Sequence, residues 1–124
     1  MAEKKLTKKQ KDLVDRLRKA GVERNIALTL VFVAGKDEAT RRDIENATGL
    51  KQPEVSIATQ AMRSKEWMDK RDIKKEGKGR PVHGYKLDKP INDIIKEIEE
   101  EEKARIEEME NNLNKIKDLV QSIY

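Results

Sequence analysis

The stretch over residues 40–68, TRRDIENATGLKQPEVSIATQAMRSKEWM, places the tightest constraint on how this chain folds. Thr40 is a helix N-cap, and Asp43 three residues on completes a capping box. Ile44 and Ala47 then share one helical face, and Gly49 supplies the backbone freedom that a helix stop needs. Leu50 and Lys51 form the turn. Gln52 precedes Pro53, whose fixed φ suits the first position of a second helix. Val55, Ala58 or Thr59, and Met62 give that second helix a single inward stripe. Two short helices joined by a tight Gly-containing turn form a helix-turn-helix unit.

Charge decides what kind of body carries this unit. Of the 124 residues, 42% are charged, 35% hydrophobic and 3% aromatic. That is too charged for a large core, yet the charges recur between periodic apolar residues, so the chain reads as helical rather than disordered. From residue 90 onward ten acids face five bases, a net −5, whereas residues 1–89 hold 23 bases and 14 acids, a net +9. A basic body with an acidic tail is the asymmetry of a nucleic-acid binder with a separate interaction arm. With no cysteine, disulfides, thiolate nucleophiles and sulfur-ligated metals are excluded. No segment approaches the ~20 apolar residues that cross a bilayer, and the N-terminus has no apolar leader, so a cytoplasmic, nucleoid-associated location is expected.

The rest of the chain supports that centre. Residues 1–6 read as a mobile basic arm. Thr7 caps a helix ending near Ala20, with Leu13, Val14, Leu17 and Ala20 on one face and Gly21 as its stop. Residues 23–34 form a helix apolar nearly all round, the expected centre of the core, and a short extended piece near Glu38 and Ala39 follows. After Met68 the period shortens. Residues 69–76 and 82–87 have strand character, and the turn-forming Gly77-Lys78-Gly79-Arg80-Pro81 between them makes a β-hairpin. Past Asp88-Lys89-Pro90 one helix runs to the end, about 50 Å long at 1.5 Å per residue. Ile91, Ile94, Ile95 and Ile98 cluster first, and the run Glu99-Glu100-Glu101-Glu102-Lys103 interrupts them like a stutter. Ile106, Met109, Leu113, Ile116, Val120 and Ile123 then alternate by three and four, a coiled-coil dimerisation seam whose simplest partner is a second copy. The expected fold is mainly α with a small β-hairpin (α+β): a DNA-binding domain over residues 1–89 and a dimerisation helix over residues 90–124.

The chemistry lies on the second helix of the pair and on the hairpin. The inward stripe leaves Gln52, Ser56, Ile57, Gln60 and Arg63 facing outward, with Pro53 at the helix tip. Gln pairs with adenine edges, Ser with several partners, and Ile57 suits a thymine methyl. Lys51 and Arg63 suit phosphate, as do Arg41 and Arg42 at the start of the first helix. Glu54 weighs modestly against DNA there. On the hairpin, Lys74, Lys75, Lys78 and Arg80 surround a Gly-rich tip with Glu76 as its sole acid. Lys78-Gly79-Arg80-Pro81 resembles the core of an AT-hook, suited to a narrow A·T minor groove. His83, the only histidine, has no ligand cluster and reads as a surface or phosphate-contact residue, and Trp67 as a core anchor beneath the hairpin. No carboxylate sits with a nucleophile, a phosphate loop or metal-ligand spacing, so no enzyme, metal or cofactor is expected, and no effector is implied.

The sequence over residues 40–68 resembles the DNA-binding core of winged helix-turn-helix transcriptional regulators of the ArsR, MarR and TrmB kinds, common in archaea and bacteria. Gly49, Leu50, Val55, Ser56, Met62 and Trp67 of TGLKQPEVSIATQAMRSKEWM fall on matching positions of their pattern. The resemblance covers residues 23–87. It departs at Glu66, where a Gly usually ends the recognition helix, and at Thr59, where an apolar residue usually packs. The resemblance implies that the helix opening at Pro53 enters the major groove of double-stranded DNA, with the hairpin as a wing on the minor groove or backbone. A homodimeric, sequence-specific regulator is the leading expectation. An architectural chromatin protein of the same fold, or a protein-interaction module of the transcription machinery, are the rivals.

Overall fold

The computed structural model describes residues 5–73 and 82–124. Its elements run α1 (Lys8–Lys19), α2 (Arg24–Ala34), β1 (Ala39–Thr40), α3 (Arg41–Thr48), α4 (Gln52–Ser64), β2 (Met68–Ile73), β3 (Val82–Leu87) and α5 (Ile91–Ile123). The chain is mostly helical with a small antiparallel sheet and a long C-terminal helix, an α+β arrangement. The sheet has three strands in the order β1-β3-β2, one more than the expected hairpin. β1 pairs Ala39 with Tyr85 and Thr40 with Gly84, so the piece read as a connector closes the sheet's far edge. β2 and β3 pair from Met68↔Leu87 to Ile73↔Val82.

α2 sits at the centre, against α1, α3, α4 and β3. Its apolar-all-round sequence follows from that: Ala27, Leu28, Leu30, Val31, Phe32 and Val33 are all buried. Around it close Val14 and Leu17 of α1, Ile44 and Ala47 of α3, Val55, Ala58 and Met62 of α4, and Trp67, Met68 and Tyr85 at the sheet. Each fully buried aliphatic side chain contributes roughly 1.5–3 kcal/mol. Ile94 and Ile98 of α5 belong to the same core, with Ile91 and Ile95 packed against it. The long helix is thus anchored by its first two turns.

Two expectations at the N-terminus change. Leu6, read as part of a mobile arm, is buried in the core just ahead of the Thr7 cap; residues 1–4 lie outside the described residues. Leu13, read as an inward residue of α1, is 38% exposed. Val14 and Leu17 fill the buried face of α1, and Leu13 falls at its edge, on the side away from Val14.

The α3–turn–α4 geometry follows from local chemistry. The Thr40 hydroxyl accepts from the Asp43 N–H at 3.1 Å, and the Asp43 carboxylate accepts from the Thr40 N–H at 3.0 Å. Gly49 ends α3 in the left-handed region at φ 79, and its N–H donates to Glu45 O. Leu50 then turns inward and is buried. α4 opens at Gln52 with Pro53 in its first turn. Thr59 is buried where an apolar residue was expected, and its hydroxyl donates to Val55 O at 2.9 Å, so no unsatisfied group results.

α4 ends on the second departure. Glu66 has φ 63, its N–H donates to Arg63 O, and the Trp67 N–H reaches back to Met62 O. This is the Schellman geometry that glycine normally serves, here held by a glutamate. Buried Trp67 and Met62 supply the hydrophobic contact that accompanies it.

Candidate nucleic-acid interface

Two helix N-termini and one face of the sheet converge on a groove of about 690 Å³. Its walls come from Thr40, Arg41 and Arg42 at the start of α3, Gln52 and Ser56 in the first turns of α4, and Lys70, Ile73, Val82, His83 and Tyr85 of the strands. Ladder pairing explains how Lys70, His83 and Tyr85 come together, whereas Ile73 and Val82 pair at the end of the ladder. Lys70 stands opposite Tyr85 and Asp72 opposite His83, and positions two apart along a strand share a face. One sheet face therefore offers a lysine, a tyrosine and an imidazole to the space beside α4. The groove is not uniformly basic. Asp43 and Glu54 lie in the first turns of α3 and α4, where each accepts a backbone N–H of its own helix. They offset part of the positive dipole ends that open there.

The charged side chains differ in how freely they can meet an anion. Arg41 Nη1 lies 3.4 Å from the Glu45 carboxylate one turn on, in ion-pair range without hydrogen-bond alignment. Arg42 and Lys70 are exposed. His83 Nδ1 lies 2.8 Å from Asp72 Oδ1 across the ladder, which orients the ring and leaves Nε2 as its outward nitrogen. Arg71 is drawn back by Asp69 at 3.2 Å.

The sequence-derived candidates divide into three sets. Arg41, Arg42, Gln52 and Ser56 meet in the groove. Lys51, Pro53, Ile57 and Gln60 lie outside it on the exposed face of α4, Ile57 being 63% exposed. Arg63 differs from its outward reading: it is half-buried, with Nε buried and without a hydrogen-bond partner among the described residues. It sits in the last turn of α4, where the chain curls inward through Glu66 to Trp67. Lys74, Lys75, Lys78 and Arg80 lie outside the described residues.

Sequence reasoning missed Lys70 and Tyr85. Their signal was the alternation Asp69-Lys70-Arg71-Asp72 beside His83-Gly84-Tyr85, which identifies shared faces only once the register is known.

Past the other end of α4 a polar latch joins Trp67 to α5. Trp67 Nε1 donates to Glu97 Oε1 at 3.2 Å, Lys89 Nζ lies 2.8 Å from Glu97 Oε2, and Lys65 stands over the indole at 5.3 Å. The Lys89 hydrogen bond, then the Trp67 one, holds the Glu97 carboxyl below its usual range, and Glu97 in turn raises Lys89.

Among the described residues no group of three or more His, Cys, Asp or Glu is placed to hold a metal ion, and no helix is long and apolar enough to cross a membrane. No known family model matches the chain, and no curated protein is similar to it.

Proposed function

We propose that the protein binds double-stranded DNA as a winged helix-turn-helix regulator, with α4 as the recognition helix in the major groove and the β2–β3 hairpin as the wing. The observation that carries this reading is the groove in which Arg41, Arg42, Gln52 and Ser56 face Lys70, His83 and Tyr85. It joins phosphate-seeking cations to base-reading amides and hydroxyls on two adjacent surfaces, the division of labour that DNA recognition needs. The exposed outer face of α4, with Ile57 and Gln60, extends the base-reading set. The net +9 of residues 1–89 supplies the long-range attraction, so affinity falls steeply with salt. α5 pairs with a second copy and delivers two recognition helices to a two-fold site.

The test is selection of bound duplexes from a random pool at physiological salt, with the intact protein. A palindromic consensus supports a dimeric sequence-specific regulator and gives its half-site spacing. Enrichment for A·T content alone assigns the fold to an architectural role. No enrichment sinks DNA binding and turns attention to a protein partner.

A further inference from the structure

Beyond its second turn α5 carries an apolar face that the described residues leave open. Ile106, Met109, Leu113, Ile116, Val120 and Ile123 recur by threes and fours and are 47–67% exposed. Towards the domain the same helical line continues through Glu102, Glu99 and Ile95. There it borders α1, and Leu17 and Ala20 join Ile95, Ile98 and Ile106 as walls of a groove of about 490 Å³. Ile106 is both the first residue of the open face and a wall of this groove. The open face therefore runs into the groove at Ile106, past the flanking Glu99 and Glu102.

We propose that a second copy of the chain lies antiparallel along this face, with its Ile123 and Tyr124 at the mouth of the α1–α5 groove. The proposal rests on the reading of α5 as a self-association helix and adds its direction, its register and the occupant of the groove.

In an antiparallel pair each position of one seam row packs on the other row of the facing helix. Ile106 then meets Ile123, Met109 meets Val120, and Leu113 meets Ile116, each pairing made twice by symmetry, with no seam residue left over. The flanks agree, since Glu110 falls beside Lys117 of the second copy on both sides. In this register Lys103, a wall of the groove, falls beside Tyr124 of the second copy. Tyr124 is 96% exposed in the single chain, and its ring gains an apolar seat there.

The parallel arrangement fits less well. Followed towards the domain, it stacks Glu102 on Glu102 and Glu99 on Glu99. It also drives the second helix against Leu17 and Ala20, which already flank that line. Its favourable flank pair, Arg105 with Glu110, draws on an arginine held elsewhere. Arg105 Nη1 lies 3.4 Å from the Glu102 carboxylate and against the α1–α2 turn, where a Cβ on Gly21 would stand 2.7 Å from it.

The chain has no cysteine, so thiols can be placed one at a time. Lys103→Cys and Tyr124→Cys, made singly and together in the full chain, are treated with a short bis-maleimide and read as covalent dimer on denaturing gels. Within one chain the two positions are about 31 Å apart along α5, too far for the linker. The double variant is expected to cross-link into a dimer, and neither single variant is. Covalent dimer from Tyr124→Cys alone, whose two copies stand about 28 Å apart along the antiparallel pair, overturns the direction. A dimer by light scattering that the double variant fails to trap overturns the register while leaving self-association intact. A monomeric intact protein overturns the self-association reading together with the proposal.

Discussion

Glu97 of α5 joins two other segments to its own helix: Trp67, just past the end of α4, and Lys89, just ahead of α5. Its depressed pKa makes its stabilisation present above the ordinary glutamate value of 4.5 and lost as pH falls through the lower folded-state value. Lys89, raised above 10.5, behaves oppositely: its share is complete below that value and is lost as pH rises through the raised one. Glu97→Gln is therefore expected to lose less stability than the parent between pH 6 and pH 3, as followed by urea unfolding; equal losses would mean that the latch is inert. At the proposed interface the two kinds of contact separate by salt and by sequence. Arg42→Ala should weaken binding on all duplexes alike and lower the salt slope by about 1, whereas Gln60→Ala should alter base preference at one position. A uniform loss for Gln60→Ala would count against direct readout.

Helix ends set the geometry at the scale of the element. α1 and α4 both close in Schellman turns, with Gly21 at φ 95 in one and Glu66 at φ 63 in the other. A glutamate in the left-handed region is strained where glycine is not. Glu66→Gly should therefore raise stability by about 0.5–1 kcal/mol in chemical denaturation; an unchanged or lower midpoint would show that the Glu66 side chain compensates for the strain. The reciprocal Thr40–Asp43 cap starts α3 at the edge of the groove. Thr40→Ala should cost about 1 kcal/mol and weaken the proposed DNA binding as the Arg41–Arg42 pair loses its fixed start.

At the scale of the whole molecule the two ends of α5 behave differently. Ile94 and Ile98 are locked into the core, while the seam from Ile106 onward stays open. Because the open residues touch little in the single chain, Leu113→Glu with Ile116→Glu should leave the fold and the helical circular dichroism intact and give monomers by light scattering. An unchanged mass would remove the seam from self-association. If two recognition helices act together on one site, the same variant should lose about 100-fold or more in affinity for a two-fold duplex while single-site binding persists.

The α3–turn–α4 pair was legible in the residues because its determinants are local. The Thr40–Asp43 cap, the Gly49 stop and the inward stripe of Val55, Ala58 and Met62 each depend on neighbours within two turns. The core role of the second helix and the length of α5 were legible for the same reason, as periodicity over one element. Tertiary structure decided what no local pattern carries. It buried Leu6, left Leu13 half-open and paired Ala39-Thr40 as a third strand. Through the β2–β3 register it also brought Lys70, His83 and Tyr85 beside Arg41, Arg42, Gln52 and Ser56. Periodicity tells which face of an element is apolar, but only packing tells which faces meet.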